Sequence, residues 1–284
     1  MSTTYISPLV PLGVQAAFAA RSDPAITPTP KILQEFELKD RVGLVTGANR
    51  GLGLEMALAL LEAGARVVYC VDLPEEPGDE WQAVRAYVER MGAGRLGYVS
   101  QNVANQKAMW DLGQMIGDKE GRFDVGIAAA GIAKVMDALD YPKEEFEQVL
   151  EVNTGGALFT AQAVGRQMAR FGTPGSIILI ASGSPTVAYG SSKSAVLQMA
   201  RSMACELGPK HIRVNTVSPG YFHSPMTIPL LDSPAALAHC NSLIPLGRVA
   251  TPSEIRGVVT WLASDASTYC TGSDIIVSGG LHAW

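Results

Sequence analysis

The sequence predicts an α/β domain in which a doubly wound, seven-stranded parallel sheet carries helices on both faces. Three observations predict it. From Arg41 onward, short apolar runs alternate with longer helix-like stretches, the order of strands and crossover helices in a parallel sheet. The runs are apolar nearly throughout, as in Ser-Ile-Ile-Leu-Ile-Ala at 176–181, which suits strands buried on both faces better than a half-exposed antiparallel sheet. A glycine-rich stretch, Thr46-Gly-Ala-Asn-Arg-Gly-Leu-Gly53, follows the first run and opens a helical one.

Taken in order, residues 1–35 are rich in proline and small side chains, and Pro8, Pro11, Pro24, Pro28 and Pro30 interrupt any periodic pattern. They read as a flexible arm ahead of a single domain over 36–284. Strands are expected at 42–46, 66–71, 96–101, 125–129, 176–181, 212–217 and 275–278. Helices fill the intervals, one over 54–62 stopping at Gly64 and one over 192–207 stopping at Gly208-Pro209, since glycine after the last turn is a common helix stop. The proline-bearing segment 221–247 reads as irregular, either a packed surface excursion or a mobile cover over substrate.

Composition narrows the function. With 284 residues, 47% hydrophobic and 17% charged, the chain can bury a large core as one domain. A formal charge of −5 without any lysine- or arginine-rich run gives no electrostatic reason to expect nucleic acid or an anionic membrane, so a small molecule is the expected partner. Cys70, Cys205, Cys240 and Cys270 lack metal-ligand spacing and form no disulfide framework, which fits a reducing, cytoplasmic compartment and no metal. The apolar stretch 9–20 contains Pro11, is too short to span a bilayer, and lacks the positive flank of a secretory signal.

The glycine stretch lies where strand gives way to helix, the context in which such a loop holds a dinucleotide. Gly47 permits the tight turn, Gly51 and Gly53 let the backbone approach a pyrophosphate, and Asn49, Arg50 and Leu52 fill the loop between them. Asp72 lies nineteen residues beyond Gly53, about where an acidic side chain takes the adenosine ribose hydroxyls, and so favours NAD. Arg50 could instead pair with a 2′-phosphate, which favours NADP. The sequence leaves that choice open.

A second motif, Tyr189-Gly-Ser-Ser-Lys193, places a phenol and an ammonium four residues apart on one helix face. A phenol with an ordinary pKa of about 10 is a poor base at neutral pH, and a nearby positive charge favours its ionised form. In the reductive direction the same group donates its proton to an alkoxide. Ser182, at the end of the 176–181 strand, is the candidate second donor to a carbonyl oxygen.

From about Phe36 onward these residues resemble the short-chain dehydrogenase/reductase family, whose Rossmann fold and nicotinamide chemistry the resemblance implies. Thr46-Gly47, Gly51 and Gly53 match its cofactor loop. Asn102-Val103 stands where the family has Asp-Val near the adenine, and Ala129-Ala130-Gly131 resembles its Asn-Asn-Ala-Gly strand end. Asn153 matches the structural and proton-relay asparagine, and Ser182, Tyr189 and Lys193 match the other catalytic positions, Tyr189 and Lys193 also touching the cofactor. Pro219-Gly220 with Phe222 and Ser224 matches the stretch that contacts the nicotinamide carboxamide. The tone of the chain is similar to fungal polyol dehydrogenases and ketose reductases. The resemblance further implies a homodimer or homotetramer built on the helices after Asn153 and Tyr189.

Ser182 and Tyr189 are seven residues apart, a shorter separation than the family shows. This leaves room for a displaced Ser182, for Ser184 in its place, or for an open pocket that takes a bulky ketone of secondary metabolism. The expected reaction is interconversion of a secondary alcohol and a ketone. The alternative is a derived isomerase, cyclase or dehydratase without net hydride transfer, and a silent nucleotide-binding protein ranks third. His223 reads as a loop histidine or a substrate contact. His282 and Trp284 read as a frayed tail or as a contribution to a neighbouring subunit's pocket.

Overall fold

The computed structural model describes residues 11–183 and 186–283. Its strands are β1 (Val42–Thr46), β2 (Val67–Asp72), β3 (Arg95–Ser100), β4 (Val125–Ala128), β5 (Gly175–Ile180), β6 (Ile212–Pro219) and β7 (Asp274–Val277). All pair in parallel, in the order β3-β2-β1-β4-β5-β6-β7. The chain winds outward from β1 in one direction, then returns to β4 on its other side and winds the opposite way. Between the ends of β1 and β4 the crossovers therefore diverge to opposite faces and leave a crevice, the place where such sheets bind ligands.

Period-two burial explains the continuous apolar strands. In β5, Ile178 and Ile180 pack with Leu54, Leu60, Val259 and Leu262 from α2 (Gly51–Glu62) and α9 (Arg256–Ala263). Ile177 and Leu179 point the other way, onto Met109, Val164, Met168 and Val196 from α4 (Gln106–Glu120), α6 (Gly156–Phe171) and α7 (Val187–Leu207). Both faces of the central strands are thus dry, while the edge strands β3 and β7 are partly exposed. The domain's other helices are α3 (Asp79–Met91), α5 (Lys143–Leu150) and α8 (Pro234–Leu243).

Local chemistry sets the helix limits. Asn105 caps α4 by accepting from the Ala108 N–H at 3.1 Å, and Gly121, at φ 72°, ends it in the left-handed region. Helix α7 begins at Val187, ahead of the expected 192, so Tyr189 lies in its first turn. The arm differs from expectation. A helix, α1 (Gly13–Ser22), forms between Pro11 and Pro24 from the alanine-rich run Gln-Ala-Ala-Phe-Ala-Ala, and none of its residues is buried. Local propensity alone accounts for it, and the early prolines lie outside it. Pro8 lies outside the described residues.

Candidate active site

The glycine loop sits at the mouth of the crevice. Gly47 has φ +67°, and a Cβ there would stand 2.7 Å from the Ala130 backbone, so the loop lies directly against the end of β4. Thr46 is buried and accepts from the N–H groups of Ala129 and Ala130 at 3.2 and 3.3 Å, which joins the ends of β1 and β4. The strand end keeps this support with alanine at 129. Gly51, at φ +60°, opens α2 beside Pro225. Gly53 is buried, and a Cβ there would run into the Gly47 carbonyl, so its missing side chain lets helix close on loop.

Side chains brace this loop from β2 and α3. The Asn49 and Leu73 N–H groups donate to the two carboxylate oxygens of Asp72 at 3.0 and 2.8 Å. The Gly78 N–H donates to Asn49 Oδ1 at 2.8 Å, and the Gly51 N–H donates to Glu80 Oε2 at 3.1 Å. Arg50 is exposed and Leu52 half-buried. On the adenine side, Asn102 is exposed and its Oδ1 accepts from the Ala104 N–H at 3.0 Å, a turn that amide and carboxylate close equally well. Val103 is buried against Gly156.

On the nicotinamide side, the Gly220 N–H donates to the Val277 carbonyl at 2.9 Å, which fixes the turn after Pro219. Ser224 is buried, its hydroxyl 3.1 Å from that of Thr227. Phe222, 1% exposed, turns its ring into the core with Leu54, Val217 and Ile255, which leaves its backbone as the part that can face a cofactor.

The catalytic candidates converge beyond the end of β5. A hydrogen bond joins the hydroxyls of Ser182 and Tyr189, so the short connection still brings the two together. Burial holds the Tyr189 phenol above its ordinary pKa, and the Ser182 hydrogen bond acts in the opposite sense. Lys193, 3% exposed, has its Nζ 5.6 Å from the centre of the Tyr189 ring and donates to the Ile180 carbonyl at 2.6 Å. Burial lowers its pKa from 10.5 to about 8. Ser184 lies outside the described residues, as does Trp284.

Asn153 lies in a π-helical turn, Glu151–Gly155, between α5 and α6. Such turns are frequent at functional sites because they re-aim one side chain. Asn153 is fully buried; it accepts from the Ile132 N–H at 2.8 Å and donates to the Ile132 carbonyl and Ser192 Oγ, each at 2.9 Å. Ser192 in turn donates to the Tyr189 carbonyl at 2.7 Å. This chain ties the segment after β4 to the first turn of α7. Gly131 lies inside it, where a Cβ would come within 3.2 Å of Asn153 Oδ1 and 3.6 Å of Lys193 Nζ. Sequence reasoning passed over Thr46 and Ser192, although both stand inside the quoted motifs. Among the described residues, no helix is long and apolar enough to cross a membrane.

A family model described as enoyl-(acyl carrier protein) reductase matches residues 47–282. The D-arabinitol 2-dehydrogenase (ribulose-forming) of Candida tropicalis is 33% identical over 271 residues, 89% of this chain and 96% of that protein. The chain belongs to the short-chain dehydrogenase/reductase family. The sorbose reductase of Schizosaccharomyces pombe is 36% identical over 265 residues, covering 86% of this chain and 97% of its own. A short-chain type dehydrogenase/reductase from Mycobacterium marinum superposes with a TM-score of 0.81 at 36% identity, over 88% of this chain and 98% of that one. A gluconate 5-dehydrogenase from Burkholderia cenocepacia, in complex with NADP and tartrate, has a TM-score of 0.82 at 28% identity, over 89% and 99% of the two chains.

As a short-chain dehydrogenase/reductase, the protein is an NAD(P)-dependent oxidoreductase, and its residues fit that cofactor. The glycine loop leads into the N-terminus of α2, whose first-turn N–H groups have no partner within the helix, and that of Gly51 already donates to a carboxylate, Glu80. The buried Lys193 ammonium stands at the far end of the same crevice, beside Gly131.

Proposed function

We propose that the protein interconverts a secondary alcohol and a ketone on a polyhydroxylated substrate, a polyol and its ketose, with Tyr189 as acid/base and NAD as the preferred cofactor. The contact of Ser182 with Tyr189, beside the buried Lys193 ammonium, carries this reading. The bound dinucleotide supplies or accepts the hydride. In reduction, the Tyr189 phenol gives its proton to the carbonyl oxygen as charge gathers there, while Ser182 holds that oxygen by a hydrogen bond. A phenol held above its ordinary pKa is protonated at neutral pH, as an acid must be. In oxidation, Tyr189 takes the hydroxyl proton, and the Lys193 ammonium favours the phenolate that does so. Lys193 also stands to hold the cofactor ribose, and Asn153 positions Tyr189 through Ser192.

Similarity to an arabinitol dehydrogenase, a sorbose reductase and a gluconate dehydrogenase supports a hydroxylated substrate over a bulky ketone of secondary metabolism. The alternative of a reaction without hydride transfer drew its weight from the short Ser182 to Tyr189 connection; the contact between those two residues supports the redox reading over it. The four cysteines are free, which supports a reducing, cytoplasmic location. The small side chains of α6 and α7 support a homodimer or homotetramer through those helices.

The cofactor preference rests on charge. Asp72 and Glu80 brace the loop, with Glu75, Glu76 and Asp79 close by in sequence, and together they outnumber the loop's own cation, Arg50. A 2′-phosphate entering there meets net repulsion, whereas ribose hydroxyls meet acceptors. The test is oxidation of NADH and of NADPH, in parallel, against ribulose, sorbose and fructose. We expect kcat/KM at least about tenfold higher with NADH, a difference of about 1.4 kcal/mol. Equal use, or a preference for NADPH, overturns the charge argument; silence with both cofactors overturns the redox reading.

A further inference from the structure

The segment following β7 folds back onto the catalytic corner. Gly279 and Gly280 have φ +64° and +92°, and side chains there would come within 2.8 Å of Ile244 and 2.7 Å of Pro245. The Leu246 N–H donates to the Gly279 carbonyl at 3.1 Å. Leu281 then packs with Tyr221, Leu231 and Leu237 against Cys240, Ile244 and Val249, the small core of the segment around 221–247. So anchored, the next residue, His282, lies on Gly183. A Cβ on Gly183 would fall inside the His282 imidazole, so ring and glycine fit only because position 183 has no side chain.

Two further observations bear on this contact. Gly183 directly follows Ser182, and the connection from Ser182 to Tyr189 is only six residues long. A shorter connection has fewer side chains of its own to brace it. In addition, His282 Nδ1 is buried without a hydrogen-bond partner. Leaving a buried polar atom unpaired opposes folding, and costs of this kind persist where function requires the geometry.

We propose that His282 is a positioning residue for catalysis: its imidazole braces the Ser182-Gly183 corner and so holds the Ser182 hydroxyl at hydrogen-bond distance from Tyr189. The tail of the chain thereby replaces support that a longer connection would supply. This inference rests on the catalytic reading of Ser182 and Tyr189 given above. Because Leu281 is part of that small core, the brace also links the 221–247 segment mechanically to the catalytic corner.

The test compares His282→Ala, His282→Phe, Gly183→Ala and the double variant Gly183→Ala/His282→Ala, with Tyr189→Phe alongside. Measurements are thermal stability, cofactor affinity, kcat, KM and the pH profile of alcohol oxidation. His282→Ala should lower kcat about tenfold, the scale of one misplaced hydrogen bond, with KM and cofactor affinity within about threefold of the unsubstituted protein. Its oxidation profile should move to higher pH, because the Ser182 hydrogen bond lowers the Tyr189 pKa and its loss raises it. A purely structural role would leave that profile in place. The charged group facing Tyr189, Lys193, is unaltered in each of these variants.

His282→Phe, which keeps a planar ring, should recover most of kcat. In the double variant the new methyl group enters the space the imidazole leaves, so its loss should be smaller than the product of the two single losses. An unshifted pH profile with normal kcat in His282→Ala, or independent effects in the double variant, overturns the proposal. Should His282→Ala fail to fold, the His282→Phe and Gly183→Ala results decide by the same criteria. An inactive Tyr189→Phe alongside an unaffected His282→Ala removes only His282. A fully active Tyr189→Phe removes the catalytic reading itself, and this proposal with it.

Discussion

Replacing Tyr189 with phenylalanine is expected to lower kcat by about a thousandfold or more, within the range that general acid/base catalysis contributes. Cofactor affinity should stay within about threefold, because the substitution removes one hydroxyl from a folded helix turn. The ring remains packed beneath the Lys193 ammonium, and Ser182 is the direct partner lost. Stopped-flow reduction, with NADH binding followed by fluorescence, separates the two effects. Retention of the original rate would mean that another group delivers the proton. A parallel loss of cofactor affinity and rate would mean that Tyr189 serves binding, not chemistry.

Lys193→Met should abolish turnover while making the protein more stable at neutral pH. The ammonium is 3% exposed and has the Ile180 carbonyl as its hydrogen-bond partner. Burial lowers its pKa from 10.5 to about 8. Below the lower value both the folded and unfolded chains carry the proton, so the folded state bears the whole penalty, about 3 kcal/mol. Between about 8 and 10.5 the folded protein sheds the proton and the penalty fades. Methionine removes the charge and fills similar space, at the loss of about 1 kcal/mol for the carbonyl bond. Urea unfolding should therefore place the variant about 1–2 kcal/mol above the parent at pH 7, with the gap closing as pH rises toward 10.5. A less stable variant at pH 7 would show that the ammonium holds the fold together. The expected pattern, lower activity with higher stability, marks a charge kept for its function.

The sheet was legible because its signal is local. Each strand is a short apolar run, and the alternation of Ile177 and Leu179 with Ile178 and Ile180 between two dry faces is what makes the run continuous. The glycine loop was legible for a related reason: backbone turns demand particular residues at fixed spacing, and Gly47 and Gly51 have the positive φ that only glycine adopts readily. Tyr189 and Lys193 followed from helical spacing. The role of Gly53 was less legible, since spacing does not reveal whether a missing side chain makes room for a ligand or for the Gly47 carbonyl.

The less legible features depend on contacts between distant parts of the chain. Phe222 stands in a motif that reads as cofactor-facing, and its ring turns into the core because a bulky apolar side chain gains more there than at a polar crevice. The brace of His282 on Gly183 joins positions 99 residues apart, and neither shows a local pattern. The short Ser182 to Tyr189 connection left several geometries open; the start of α7 at Val187 brings Tyr189 back toward the end of β5. The α1 helix was hidden by the surrounding prolines, although its alanine-rich run favours helix without any packing.

The central claim is hydride transfer to a hydroxylated ketone at the site formed by Ser182, Tyr189 and Lys193. Its most direct test supplies NADH deuterated at both C4 positions, together with a ketose, and reads the polyol product by mass spectrometry. The account predicts a single deuterium on the new carbinol carbon, matched mole for mole by NADH consumed. Product that forms without deuterium would contradict it and would mean that this site rearranges its substrate instead of reducing it.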